Sequence, residues 1–247
     1  MQTINLFLRS VKWRFQNPVT IIMTLVQPLI WLLLFSTIFG ANKAERNYTS
    51  FILPGILVMS VLSSSGISGI ANYSLKTGGS YYRVKISPVK RSSIILAHIL
   101  DAAVLSFIQA AILIGISLLM SVRIASGICG VLLMIVLLFL TIAFVAALSY
   151  TISLKLPDEN SFIALVNTIT LPLFFISSAL MSYEQIPNGF RIPVFINPFT
   201  HVIDSLRMLI LKDSVDWMQF IYPAGLLSVL CIASFVLAVY SLKNENQ

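Results

Sequence analysis

His98 and Asp101 stand three residues apart inside an apolar stretch, a spacing that puts both on one face of a helix. An ionisable group inside a membrane is costly to keep there, so the pair is a candidate for proton or substrate handling. A structural tether to the preceding loop is the alternative reading, because both residues fall close to one end of their stretch, where water and basic side chains are expected to reach them. They do not make a metal site, since one histidine and one carboxylate fall short of the usual three or four ligands. A second set, His201, Asp204 and Arg207, contains a pair spaced to interact, Asp204 with Arg207. It lacks a serine or cysteine nucleophile with an orienting partner, so a capped structural helix is the better reading than a catalytic one. Lys76-Thr77-Gly78-Gly79 brings phosphate-binding residue types together, but a P-loop needs its glycines ahead of the lysine. The chain is therefore expected to hold no nucleotide, metal or other cofactor of its own. Cys129 and Cys231 both fall in apolar stretches without ligand spacing and read as buried free thiols.

The elements that must position these residues are six long apolar stretches: Val19–Phe39, Phe51–Tyr73, Ile94–Met120, Ile128–Tyr150, Phe162–Leu180 and Phe220–Tyr240. Each reaches or approaches the roughly 20 residues a helix needs to cross a ~30 Å hydrocarbon core. Hydrophobic residues make up 57% of the chain and charged residues 10%, whereas soluble domains carry about a quarter charged residues. The expected fold is an all-α integral membrane protein, one domain over residues 1–247. A separate soluble catalytic domain does not fit. The second stretch carries a small-residue notch, Ser63-Ser64-Ser65-Gly66-Ile67-Ser68-Gly69. It reads either as close helix packing or as the lining of a translocation path.

The net charge of +7 reports orientation rather than nucleic acid. With both termini in the cytoplasm, Arg9, Lys12, Arg14, Lys76, Arg83, Lys85, Lys90, Arg91, Lys155 and Lys243 lie inside. Lys43, Arg46, Arg123, Arg191, Arg207 and Lys212 lie outside, a bias that obeys the positive-inside rule. Residues 1–18 alternate apolar and basic positions at helical spacing until Asn17-Pro18 breaks them, which predicts an amphipathic elbow helix on the membrane surface. Residues 74–93 form a basic inner loop. Residues 181–219 are the longest connection, punctuated by prolines. There Asn197 and Pro198 make a favourable N-cap and first helical residue for a re-entrant or interfacial helix whose apolar stripe should pack on the outer ends of the fifth and sixth spans.

Four stretches together make the chain resemble the membrane-spanning permease subunits of type-2 ABC transporters (the ABC-2 type family), in the branch that exports drugs and antibiotics. They are Arg14-Phe15-Gln16-Asn17-Pro18 with Gln27-Pro28-Leu29 and Phe39-Gly40; Phe51-Ile52-Leu53-Pro54-Gly55-Ile56; Ser87-Pro88-Val89-Lys90-Arg91; and the run from Leu171-Pro172 through Asn197-Pro198-Phe199-Thr200-His201 to Asp204 and Arg207. The resemblance implies that two permeases, identical or related, pair in the membrane and bind two cytosolic ABC ATPase subunits, which carry the ATP and magnesium. It implies that the 74–93 loop couples to the ATPase, with Tyr81, Tyr82, Arg83, Lys85, Pro88, Lys90 and Arg91 as contact residues. It also implies that Asn197, Pro198, Asp204 and Arg207 belong to an external gate helix. The family's acidic residue ahead of the inner Pro-Val element is absent here, where Lys76-Thr77-Gly78-Gly79-Ser80 stands. The implied function is outward transport of a hydrophobic or amphipathic substrate (drug, antibiotic, peptide or lipid) by a non-enzymatic subunit in a bacterial cell membrane. A lipid-linked polysaccharide exporter is the alternative within the family. An ion-coupled carrier or intramembrane enzyme centred on His98 and Asp101 is the alternative outside it, although neither an internal repeat nor a nucleophile–base set supports it.

Overall fold

A backbone removed from water must satisfy its own hydrogen bonds, and a long apolar segment does so as a helix. The computed structural model describes Phe7 and residues 18–40, 48–77, 90–181 and 183–244, and among these residues it contains helices and no strand. In chain order the helices are α1 (Pro18–Gly40), α2 (Tyr48–Ile67), α3 (Ile70–Thr77), α4 (Arg91–Leu119), α5 (Gly127–Lys155), α6 (Glu159–Phe175), α7 (Asn188–Ile196), α8 (Pro198–Leu211) and α9 (Trp217–Asn244). A short 3-10 turn, Tyr183–Gln185, precedes α7.

Among the described residues, four segments are long and apolar enough to cross a membrane: Tyr48–Leu75, Arg91–Leu119, Gly127–Lys155 and Trp217–Asn244. The 29 residues of α4 or α5 extend about 43 Å at ~1.5 Å per residue, more than a bilayer core requires. Helices α7 and α8 meet at 88° and together form a fifth candidate, either a broken span or a re-entrant loop. Each of the six apolar stretches coincides with a helix, but the first and fifth are shorter than the rest as apolar helices, over Thr24–Ile38 and Glu159–Phe175. The expected elbow over residues 1–18 lies outside the described residues apart from Phe7 and Pro18.

Helix α2 is the axle of the bundle. It packs against α1, α4, α5, α6 and α8, and 78% of its spanning segment is buried, against 22% for α9. Ile52, Ile56, Leu57, Val58 and Val61 are fully enclosed. Helix α9 instead lies along α5 and leaves Val229, Ile232, Val236 and Leu237 exposed, as a lipid-facing helix does. The second span is broken at Ser68-Gly69, where α2 ends and α3 begins. Gly69 is required there, because a Cβ would stand 2.7 Å from Phe162 Cζ and 2.8 Å from the Ser149 carbonyl. Its amide is satisfied sideways, donating to Ser149 Oγ at 2.9 Å, while Ser149 Oγ donates to the Gly66 carbonyl at 2.6 Å. Thus α5 splices the break and supplies the partners that the interrupted ladder lacks.

Candidate functional site

Two polar assemblies interrupt the apolar bundle, one along the second span and one at the end that carries α7 and α8. The first is a seam of serines from the notch. Ser64 and Ser106 share a hydrogen bond of 2.7 Å, with Ser65 a further 3.3 Å contact. Ser68 donates to the Ser65 carbonyl at 2.6 Å and meets His98 Nε2 at 3.1 Å. Asn72 Nδ2 donates to Ser153 Oγ at 2.6 Å, and the Tyr73 hydroxyl donates to the Leu156 carbonyl at 3.2 Å. The seam ties α2–α3 to α4 on one side and to α5 on the other. Hydrogen bonds of this kind fix register between membrane helices whose apolar surfaces alone would slide.

His98 is brought to this seam through Ser68, and both it and Asp101 are buried, 9% and 4% exposed. The His98 ring packs edge-on against Tyr150 with centroids 5.0 Å apart. Both residues therefore sit inside the bundle rather than at the watery end of α4, because α4 starts at Arg91 and Asp101 is almost three turns in. Among the described residues, no three of the His, Cys, Asp and Glu side chains gather as metal ligands would. Cys231 is half-buried, while Cys129 is exposed on the surface of α5, contrary to its reading as a buried thiol.

The second assembly is a clasp around Arg207. Its side chain is 11% exposed and each of its three nitrogens donates a hydrogen bond. Nη1 donates to Asp204 Oδ1 at 3.0 Å, Nη2 to the Ser178 carbonyl at 2.6 Å, and Nε to the Phe51 carbonyl at 3.2 Å. The guanidinium also lies 3.8 Å from the centroid of the Phe51 ring. Planar, forked donors suit this role in a way a lysine ammonium does not. Ser178 Oγ donates to the same Asp204 Oδ1 at 2.6 Å, which orients the carboxylate from its half-exposed position. Arg207 thus joins α8, the segment after α6 and the first turn of α2.

Asn197 anchors the other end of α8. Its Oδ1 accepts from the Phe199 amide at 3.0 Å, the N-cap that the sequence predicts, with Pro198 in the first turn. Its Nδ2 also donates to the Leu173 and Ile176 carbonyls, both at 2.7 Å, so one side chain caps the start of α8 and the end of α6. At the far end of α8, the Ile210 carbonyl accepts from the Ala125 amide at 3.0 Å and the Leu209 carbonyl from Ser126 Oγ. The α8 stripe is buried against α9, which carries the expected sixth span, and against α2 and α5 rather than the expected fifth. A stripe containing Val202, Ile203, Leu206 and Leu209 predicts burial without naming the partner.

Of the coupling residues, Tyr81, Tyr82, Arg83, Lys85 and Pro88 lie outside the described residues. Lys90 is exposed at the N-cap of α4, and Arg91 opens that helix half-buried. On the loop between α5 and α6, Asp158 caps α6, accepting from the Ser161 amide and hydroxyl, both at 2.8 Å. Those two bonds, the backbone one first, hold its carboxyl below the ordinary value of 3.8. Sequence reasoning did not single out Gln109, Ser106, Ser149 or Ser178. The available signal was a polar side chain at a buried position of an apolar helix, clearest for Gln109.

Among the described residues, an all-helical bundle with several helices able to span a membrane is the architecture of a multi-pass membrane protein. Residues 1–211 match the family described as ABC-2 type transporter, and the chain belongs to that family. It is 28% identical over 220 residues to ycf38 of Cyanophora paradoxa, named as a transport permease, covering 87% of this chain and 76% of that one. Its ycf38 counterpart in Porphyra purpurea is 27% identical over 211 residues, covering 83% and 71%. The daunorubicin resistance ABC transporter permease protein DrrB1 of Streptomyces coeruleorubidus is 24% identical over 229 residues, covering 91% and 77%. The chain is an ABC transporter permease, and its family implies an ABC ATPase as partner.

Proposed function

We propose that this chain is the six-span permease subunit of an ATP-driven exporter that moves a hydrophobic or amphipathic molecule outward across a bacterial cell membrane. Both termini and the 74–93 loop face the cytoplasm, and α7 and α8 face outside. Two permeases pair, and two cytosolic ATPase subunits, holding ATP and magnesium, dock on the loops. The contact is made chiefly by packing at Tyr81 and Tyr82 and around Pro88, with Arg83, Lys85, Lys90 and Arg91 setting register, since charge at a rim tunes association more than it sets affinity.

The supporting observation is the continuity of the second span. Helix α2 starts inside the Arg207 clasp at Phe51, carries the serine seam, and continues through α3 to Thr77 at the edge of the coupling loop. A displacement imposed on the loop is delivered to the outer clasp through one nearly fully buried element with a single break. Packed elements of this kind convert small shifts into discrete rearrangements. Affinity purification in detergent tests the reading, the expected result being an ABC ATPase in stoichiometric association. Labelling of Lys76→Cys from inside and Asn188→Cys from outside tests the orientation, and labelling of both from one side overturns it.

A further inference from the structure

Between α1, the break in the second span and α4 lies a cavity of about 220 Å³. Its polar wall comprises Gln27, Ser60, Ser63, Ser64, Ser68 and Gln109, together with Thr24 and Ser74, and among the described residues no charged side chain lines it. Gln109 is 1% exposed, and its Oε1 has no hydrogen-bond partner among the described residues. An amide oxygen taken out of water without a partner is unfavourable, and native interiors rarely leave one so. Several neighbouring hydroxyls have already committed their protons. Ser60 Oγ donates to the Leu57 carbonyl at 2.8 Å, and Ser68 Oγ donates to the Ser65 carbonyl. Their oxygens remain as acceptors beside that of Gln109, while the Gln27 and Gln109 carboxamides also carry N–H donors, so the wall is neutral and mixed and suits hydroxyls, which both donate and accept.

The volume equals about seven waters at ~30 Å³ each, the size of a single sugar-like ring. Neither a buried anion nor a buried cation would find a countercharge among the described lining residues. Gln27 is exposed at the rim, and on the same helix Val26 and Ile30 present apolar surface alongside. We propose that this cavity binds the neutral, hydroxyl-bearing head of an amphiphile whose tail lies against α1, with the Gln109 oxygen accepting from one of its hydroxyls. This names a substrate class and rests on the reading of the chain as a permease for amphipathic molecules.

The test is binding of four lipids with identical tails to the full chain in nanodiscs, read by native mass spectrometry: a monoglucosyl diacylglycerol, a diacylglycerol, phosphatidylglycerol and an ammonium-headed analogue. The glucosyl lipid is expected to bind at least ten-fold more tightly than the other three. Gln109→Leu should abolish that preference and Ser64→Ala reduce it, with both variants melting as the parent does. Equal binding of the diacylglycerol, a preference for either charged head, or a preference that survives Gln109→Leu overturns the proposal. Because no ATPase is needed for binding, its failure is separate from failure of coupled transport, which is measured with the partner present.

Discussion

Arg207 holds Phe51 twice, through a 3.2 Å hydrogen bond from Nε to the Phe51 carbonyl and through its guanidinium 3.8 Å from the ring centroid. The two residues are 156 positions apart in sequence, so this is one of the contacts that closes the fold. Phe51 sits in the first turn of α2, where carbonyl and ring both point at α8. Removing the cation takes this donor from the Phe51 and Ser178 carbonyls and leaves the Asp204 carboxylate the Ser178 hydroxyl.

Arg207→Leu should therefore destabilise the protein by about 2–3 kcal/mol, the cost of taking this donor from the Phe51 and Ser178 carbonyls while the half-exposed Asp204 carboxylate stays hydrated. Asp204→Asn should cost less, about 1 kcal/mol, because the carboxylate is half-exposed and Arg207 keeps its carbonyl partners. Thermal melts in detergent followed by tryptophan fluorescence check the order, and equal losses would show that the clasp acts only through the ion pair.

Asn197 gives an inverted capping prediction. At an ordinary N-cap, aspartate serves as well as asparagine. Here the side-chain amide donates to two carbonyls at the end of α6, so Asn197→Asp would set a carboxylate against them. Asn197→Ala should cost about 2–3 kcal/mol, the cap plus the abandoned carbonyls. Asn197→Asp should be no better than alanine. A near-neutral aspartate in the same melts would mean the contacts to α6 are unimportant.

Gly69 and Gly115 should respond oppositely to alanine. At Gly69 the added methyl meets the Ser149 backbone and the Phe162 ring, and overpacking of this kind costs about 1–3 kcal/mol. At Gly115 no described atom lies within 4 Å, and alanine should gain up to about 1 kcal/mol of helix propensity. If both variants melt alike, the splice between α5 and the broken span is not as tight as the geometry implies.

Asp158 predicts a pH dependence with a definite sign. Its folded carboxyl titrates below 3.8, so its contribution is fully present above the unfolded value and is lost as pH falls through the folded one. The wild type should melt above Asp158→Ala at neutral pH, with the gap closing below about pH 4. A gap that widens on acidification would contradict the Ser161 cap.

The helices were legible in the sequence because apolar length is a local property, and each of the six stretches has its helix. The start of α8 was legible for the same reason, since Asn197-Pro198 acts on its own backbone. What Asn197 does to α6, where α8 packs, and how Ser149 satisfies Gly69 depend on residues tens of positions away, which spacing does not report. The notch serines signalled close approach, but the identity of their partners on α4, Ser106 and His98, required the fold, as did that of Ser149 on α5 for the notch glycines Gly66 and Gly69. His98 and Asp101 looked accessible when measured along one helix and are enclosed once α2 and α5 pack beside α4.

Coupled transport in vesicles tests the central claim most directly. The chain is reconstituted with its co-purified ATPase, and ATP-driven accumulation of a fluorescent amphiphile is followed in inside-out proteoliposomes, for the wild type and for a deletion of residues 80–88. Accumulation should require ATP and the ATPase, and should vanish in the deletion while the protein still inserts. Accumulation that survives the deletion, or that a proton gradient drives without ATP, would contradict the account.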